Sequence, residues 1–246
     1  LSGGGTIRFK GRGVQNQNSY YVSKASPDFT GLAVIEADAR VGLYTGNGFG
    51  TTATIDVQNL GAIYLEVGSG NVANNLKIQG EGWNESSGRL GALRMISGTF
   101  SGNVLLTGNA RIGAWLGQDG VISGVISDGG NNYGIEKWGN GRVVLRGAST
   151  YTGDTIVADG QLKLDNPNGP ALYNAIGATA AGNNDPTSAQ YTNANRPAGR
   201  IIIDHRLNNG WVYPNTAAML EFGRGADARS SSSGSNYQLG PKVDLV

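Results

Sequence analysis

His205 is the only histidine in the 246-residue chain, and it directly follows Asp204. Hydrolysis by a serine triad would need that imidazole between an acid and a hydroxyl, and the Ser230–Ser235 stretch offers hydroxyls. Neighbouring residues of a strand point to opposite faces, however, and the serine stretch is of low complexity. The pattern therefore predicts a surface or turn histidine. Carboxylates are the second source of chemistry, since clustered acids bind metals or serve as acid and base in polysaccharide cleavage. Here Glu36, Asp38, Asp56, Glu66, Glu81 and Glu85 are scattered. Glu36 and Asp38 have the spacing to share a strand face, but no Asp-Asp pair or Asp-Gly-x-Asp cluster accompanies them. They read as solvated faces or turns.

Gly68-Ser69-Gly70-Asn71-Val72-Ala73 fits a dinucleotide fingerprint in outline. A phosphate needs the amides of a following helix, and Asn74 to Ile78 reads as another strand, so this is a glycine turn. Asp128-Gly129-Gly130-Asn131-Asn132 could hold calcium in a turn, but the nonapeptide calcium-roll pattern is missing. Asn84-Glu85-Ser86 has the form of a glycosylation sequon. With no cysteine, disulfides, thiolate metal sites and Cys nucleophiles all drop out. No catalytic, cofactor-binding or metal-ligating residues are expected, and no cofactor. The aromatics Tyr20, Tyr21, Trp83, Trp115, Trp138, Tyr173, Trp211 and Tyr213 remain. They could stack on surface glycans, fill contacts between subunits, or cap the core.

The elements that must carry these residues are strands. Ala53, Ile55 and Val57 alternate with polar neighbours, as do Ile63, Leu65 and Val67. Val104 with Leu106, Ile112 with Ala114, and Leu162 with Leu164 continue the period of two expected of half-buried strands. No stretch shows a helical period over ten or more residues. Glycine fills 41 positions, about one in six against a usual share of roughly 7%. That load suits many tight turns, because glycine takes positive φ without steric cost. The net charge of +1 supplies no field for nucleic acid or an anionic membrane. No apolar run is long enough for a transmembrane helix.

Three units share one grammar: an aromatic-Ser/Thr-Gly triplet, a strand, a small polar turn, a second strand. The triplets are Phe29-Thr30-Gly31, Phe100-Ser101-Gly102 and Tyr151-Thr152-Gly153. Arg40 and Arg111 follow their triplets at the same spacing, and Gln161 follows at one residue less. Such internal repetition favours a solenoid over a sandwich or barrel.

Gly147 to Gly153, running into Thr155 to Leu164, resembles the autotransporter-associated β-strand repeat. Gly120 to Ser127 and Lys137-Trp138-Gly139-Asn140-Gly141 fit the same family's lead-in. Weaker copies cover roughly residues 27–67 and 76–116. The resemblance implies a right-handed parallel β-helix in the passenger of a secreted or outer-membrane-displayed bacterial protein. It implies a scaffold for export and display, and it transfers no catalytic residue.

At roughly 20–25 residues per turn, the chain would make about ten rungs and a rod near 50 Å long. Residues 1–165 form the repeat-bearing solenoid in this reading. Residues 166–199, with four of the seven prolines, form a projecting loop insertion, and 200–246 add further rungs. The opening Leu-Ser-Gly-Gly-Gly-Thr is no signal peptide, so the chain reads as a mature product or a fragment. The function expected is structural or adhesive, extracellular or at the outer-membrane surface of a Gram-negative-type bacterium, with a protomer of an extracellular fibre as one form of it. Partners would be neighbouring copies stacked head to tail, flanking repeats of a longer chain, or glycans. The alternatives are a carbohydrate-active β-helix enzyme and a phage fibre segment.

Overall fold

A computed structural model describes residues 1–11, 19–86, 88–115, 117–167, 172, 200–203, 219–222 and 244–245. Among the described residues every regular element is a strand. The strands fall into three stacks of parallel neighbours. The first stack holds Thr6–Phe9, Leu32–Ile35, Thr54–Val57, Asn75–Gly80, the start of Val104–Ala114, and Ile126–Ser127. The second holds Ser19–Val22, Arg40–Leu43, Ala62–Leu65, Leu93–Met95, the end of Val104–Ala114, Ile135–Trp138 and Thr155–Val157. Arg200–Ile203 and Asp244–Leu245 continue it. The third holds Asn71–Val72, Thr99–Phe100, Asp119–Ile122, Arg142–Leu145, Gln161–Leu164 and Met219–Phe222. The chain visits the stacks in rotation, which is a β-solenoid.

Among the described residues the solenoid has about seven turns, fewer than the ten expected. Two causes are visible. Turn length is uneven: Leu93 pairs with Ile63 on one side and Ile112 on the other, a long step and then a short one. Past residue 167 the ladder strands are far apart in sequence, since Val157 pairs with Ile203 and Leu164 with Phe222. The insertion expected over 166–199 lies outside the described residues except for Asn166, Pro167 and the buried Leu172, which bridges to Ser149. Within 200–246 the described residues are the strands Arg200–Ile203, Met219–Phe222 and Asp244–Leu245.

Parallel register turns the period of two into columns of buried side chains. Ala33, Ile55, Leu76, Val104 and Ile126 stack on the first face, and Val41, Ile63, Leu93 and Ile112 on the second. Val72, Phe100, Ile122, Leu145 and Leu164 line the third. All are buried within one hydrophobic cluster that runs from Phe9 to Ile201. Each fully buried Val, Leu, Ile or Phe contributes roughly 1.5–3 kcal/mol relative to exposure, so the columns are the main source of stability. Val67 departs from the alternation. Strand Ala62–Leu65 has ended before it, and Val67 projects from the following turn into solvent.

The corners explain the glycines. A Cβ on Gly102 would lie 1.8 Å from the Asn74 carbonyl oxygen, one on Gly124 1.9 Å from that of Gly102, and one on Gly147 2.0 Å from that of Gly124. Successive turns touch backbone to backbone along this corner, and no side chain fits between them.

Candidate functional site

The three aromatic-Ser/Thr-Gly triplets have one feature in common: Phe29, Phe100 and Tyr151 are all buried. They differ in position. Triplets 29–31 and 100–102 lead into the first stack at Leu32 and Val104, whereas 151–153 leads into the second at Thr155. The stacking equivalents of Phe100 are instead Ile122 and Leu145, which carry no aromatic ring. Arg40 and Arg111 accordingly share the second face, while Gln161 lies on the third.

At the third triplet the hydroxyl does bond a turn. Thr152 donates its Oγ1–H to Asp128 Oδ2 at 2.7 Å and its amide to the same oxygen at 3.0 Å. The amides of Tyr133 and Gly130 donate to the same carboxylate at 3.2 and 2.9 Å. Burial alone would raise the Asp128 carboxyl, but these donors outweigh it and hold it below its ordinary 3.8. The calcium turn weighed for Asp128 to Asn132 is thus a carboxylate committed to protein N–H and O–H groups. It staples one turn to the next.

Lys137 is the unexpected charge. It pairs in register with Ile112 and Val157, in a column otherwise aliphatic, and its side chain is fully buried. Its ammonium donates to the carbonyls of Trp138, Gly139 and Asp159, the last at 2.7 Å. Three N–H donors meet three acceptors, which is how a buried ammonium is satisfied. Those carbonyls belong to two successive corners, so one side chain ties both. Burial lowers the Lys137 pKa from 10.5 to about 7, and the Asp159 carboxylate pulls it back up.

The third cluster lies on the outer surface of the second stack. The Arg40 guanidinium sits 4.1 Å from the Tyr64 ring centre and 5.7 Å from that of Tyr21. Arg94 sits 5.1 Å from Tyr64 and 4.9 Å from Trp115, and Arg111 4.4 Å from Trp138. Each arginine also meets an acid: Arg40 pairs with Glu66 at 2.6 Å, Arg94 with Glu85, and Arg111 with Glu136 at 2.8 Å and Glu81 at 3.4 Å. Residues 81–86 and 88–91 leave the turn and lie over this surface, closed by the hairpin of Asn84–Glu85 with Gly88–Arg89. Trp83 from this excursion covers Ala62 and Tyr64 in a small second core outside the solenoid.

Tyr64 donates its hydroxyl to Glu85, and Arg94 contacts both. A tyrosine hydroxyl beside a carboxylate and a guanidinium is a combination that could make a phenolate nucleophile. Tyr64 is buried beneath Trp83, though, and its partners fix the excursion in place. The acids of this surface are counterions of arginine, and no group of three or more His, Cys, Asp or Glu able to hold a metal occurs among the described residues.

The remaining sequence candidates are dispersed. Glu36 pairs with Arg8 at 3.2 Å, and Asp38 sits in a turn at φ 60°, so the two do not share a strand face. Gly68 and Gly70 form a turn with positive φ that leads to strand Asn71–Val72. Tyr20 packs on the core, Trp83 and Trp138 are buried, and Tyr21 and Trp115 are exposed. His205, Ser230–Ser235, Tyr173, Trp211 and Tyr213 lie outside the described residues. The sequence reading missed Lys137 as a core residue, although its place two residues from Ile135 in strand phase was a signal for it. The arginine–aromatic contacts were not legible, because they cross turns of unequal length.

By its fold the chain is a parallel β-solenoid stabilised by corner contacts between turns. Residues 135–164, the two turns joined by Lys137, match the family model of the passenger-associated-transport-repeat, and the chain carries that repeat there. No curated protein and no solved structure matches the chain. No helix among the described residues is long and apolar enough to cross a membrane.

Proposed function

We propose that the chain is a passenger-type segment exposed at the surface of a Gram-negative-type bacterium or secreted from it, where it acts as a structural and adhesive solenoid rather than an enzyme. One observation carries the reading: the passenger repeat at 135–164 is built into the continuous ladder, in register with the strands on either side. The interior offers packed side chains, and the acids of the outer second face are each spent on an arginine. Strand Thr6–Phe9 pairs on one side only among the described strands, and an open parallel edge templates strand addition. A flanking repeat or a neighbouring copy would occupy that edge, and copies stacked head to tail would grow an open filament.

Protease treatment of intact producing cells tests the reading. The chain should be stripped from the cells or found in the medium, while a cytoplasmic marker survives. Full protection of the chain on intact cells, with none in the medium, would overturn it.

A further inference from the structure

We propose that the outer corner between the second and third stacks is a binding strip for a neutral, extended linear oligosaccharide lying along the solenoid axis, with Tyr44 and Trp115 as its two platforms. The proposal deepens the adhesive part of the reading above by naming the ligand class and the site.

Position comes first. Tyr44, Glu66, Ile96 and Trp115 occupy the same corner on four successive turns. Their amides donate in turn to the carbonyls of Val22, Leu43, Leu65 and Met95, the ladder partners one turn back. Tyr44 and Trp115 are therefore three turns apart, about 14 Å at the usual inter-strand spacing. That is the span of a few pyranose units laid end to end, with the half-buried Ile96 as the floor between them.

Exposure and rigidity come next. Trp115 is 47% exposed, Tyr44 44% and Tyr21 56%, whereas the other large aromatics among the described residues are mostly buried. The Arg94 guanidinium at 4.9 Å supports Trp115. The Tyr21 ring lies 5.9 Å from that of Tyr44, and Arg40 supports Tyr21 in turn. Rings held in place this way lose little entropy on binding, which is what makes aromatic side chains effective contact surfaces. Aromatic faces take up the apolar face of a sugar while its hydroxyls stay in water.

Charge selects the class. The arginines of the strip, Arg40 and Arg94, are committed to Glu66 and Glu85. The surface is thus balanced, with Glu66 buried and neutralised by Arg40, and these arginines offer an acidic polysaccharide no free cation in exchange for its lost hydration. A neutral chain meets no such penalty.

Calorimetric titration of the full chain with cellohexaose, and separately with hexagalacturonate, tests the strip. Cellohexaose should bind with a change in tryptophan fluorescence, and hexagalacturonate at least tenfold more weakly. Tyr44→Ala with Trp115→Ala should weaken cellohexaose binding tenfold or more with an unchanged circular dichroism spectrum, while Tyr44→Phe retains it. Failure of cellohexaose to bind overturns the proposal, as does equal binding of the two sugars or full binding by the double variant. Self-association that the double variant abolishes, without sugar binding, would assign the strip to a second copy and also overturn it. Sugar binding is read on the isolated chain and surface exposure on cells, so either can fail without the other.

Discussion

Replacing Lys137 by Met keeps the length of the side chain and removes its charge from the core. In the wild-type protein burial lowers the pKa of this amine from 10.5 to about 7. Between those values the unfolded chain keeps a proton that the folded chain has released. Raising the pH through this window therefore favours the folded state, and that stability is lost as pH falls back through about 7. At 1.36 kcal/mol per unit, the full window is worth at most about 5 kcal/mol. The three carbonyl acceptors oppose it, because hydrogen bonds from a charged donor contribute roughly 1.5–3 kcal/mol. The expected wild-type gain from pH 7 to 9.5 is therefore about 1–3 kcal/mol. Lys137→Met should lack this rise and lose ground to the wild type toward pH 9.5, where its carbonyls at the two corners have no donor. Urea unfolding followed by circular dichroism between pH 6 and 9.5 measures the difference. The ceiling matters, since burial pushes the Tyr151 phenol above its ordinary 10.0, partly offset by its hydrogen bond with Thr155, and its titration would act with the opposite sign. Parallel stability curves for the two proteins across this range would refute the reasoning.

Tyr151→Ala should cost about 3–5 kcal/mol in the same unfolding assay, the range for truncating a large buried aromatic. A loss within experimental error would mean that the ring does not pack in the core. Asp128→Asn should cost about 1.5–3 kcal/mol near neutral pH, because an anion accepting four N–H and O–H bonds is replaced by a neutral amide. The folded-state pKa of Asp128 lies below 3.8, so its contribution is present above that value and lost as pH falls through the lower one, and the variant should show a flatter acid limb. Gly102→Ala should destabilise the protein markedly, with a Cβ 1.8 Å from the Asn74 carbonyl oxygen, while Gly5→Ala, with no atom within 4 Å, should have little effect on the melting temperature. Far-ultraviolet circular dichroism should show β-structure with a helical fraction well under one quarter.

The strand alternation was legible because the solenoid core is one-sided: Ala53, Ile55 and Val57, or Leu162 and Leu164, must face the same interior whatever the turn length. Phase between turns was harder to read. Tyr151-Thr152-Gly153 shares the grammar of the two earlier triplets yet lies one stack further round, since the same short motif closes different corners. The true neighbours of Gly102, namely Asn74 and Gly124, and Gly147 beyond Gly124, share only a backbone position and smallness or a turn preference. Contacts across turns were invisible for a further reason. Arg40 meets Tyr64 and Glu66 one turn on, whereas Arg94 meets Glu85 within its own long turn. No fixed spacing generates both.

The excursion at 81–91 separates length from ornament. Leu93 follows Ile63 by 30 residues where Ile63 follows Val41 by 22, yet Leu93 still takes its place directly beside Ile63. Added chain grows outward while the rod stays the same height. A lineage could thus rewrite what this molecule displays, turn by turn, without altering how far it reaches.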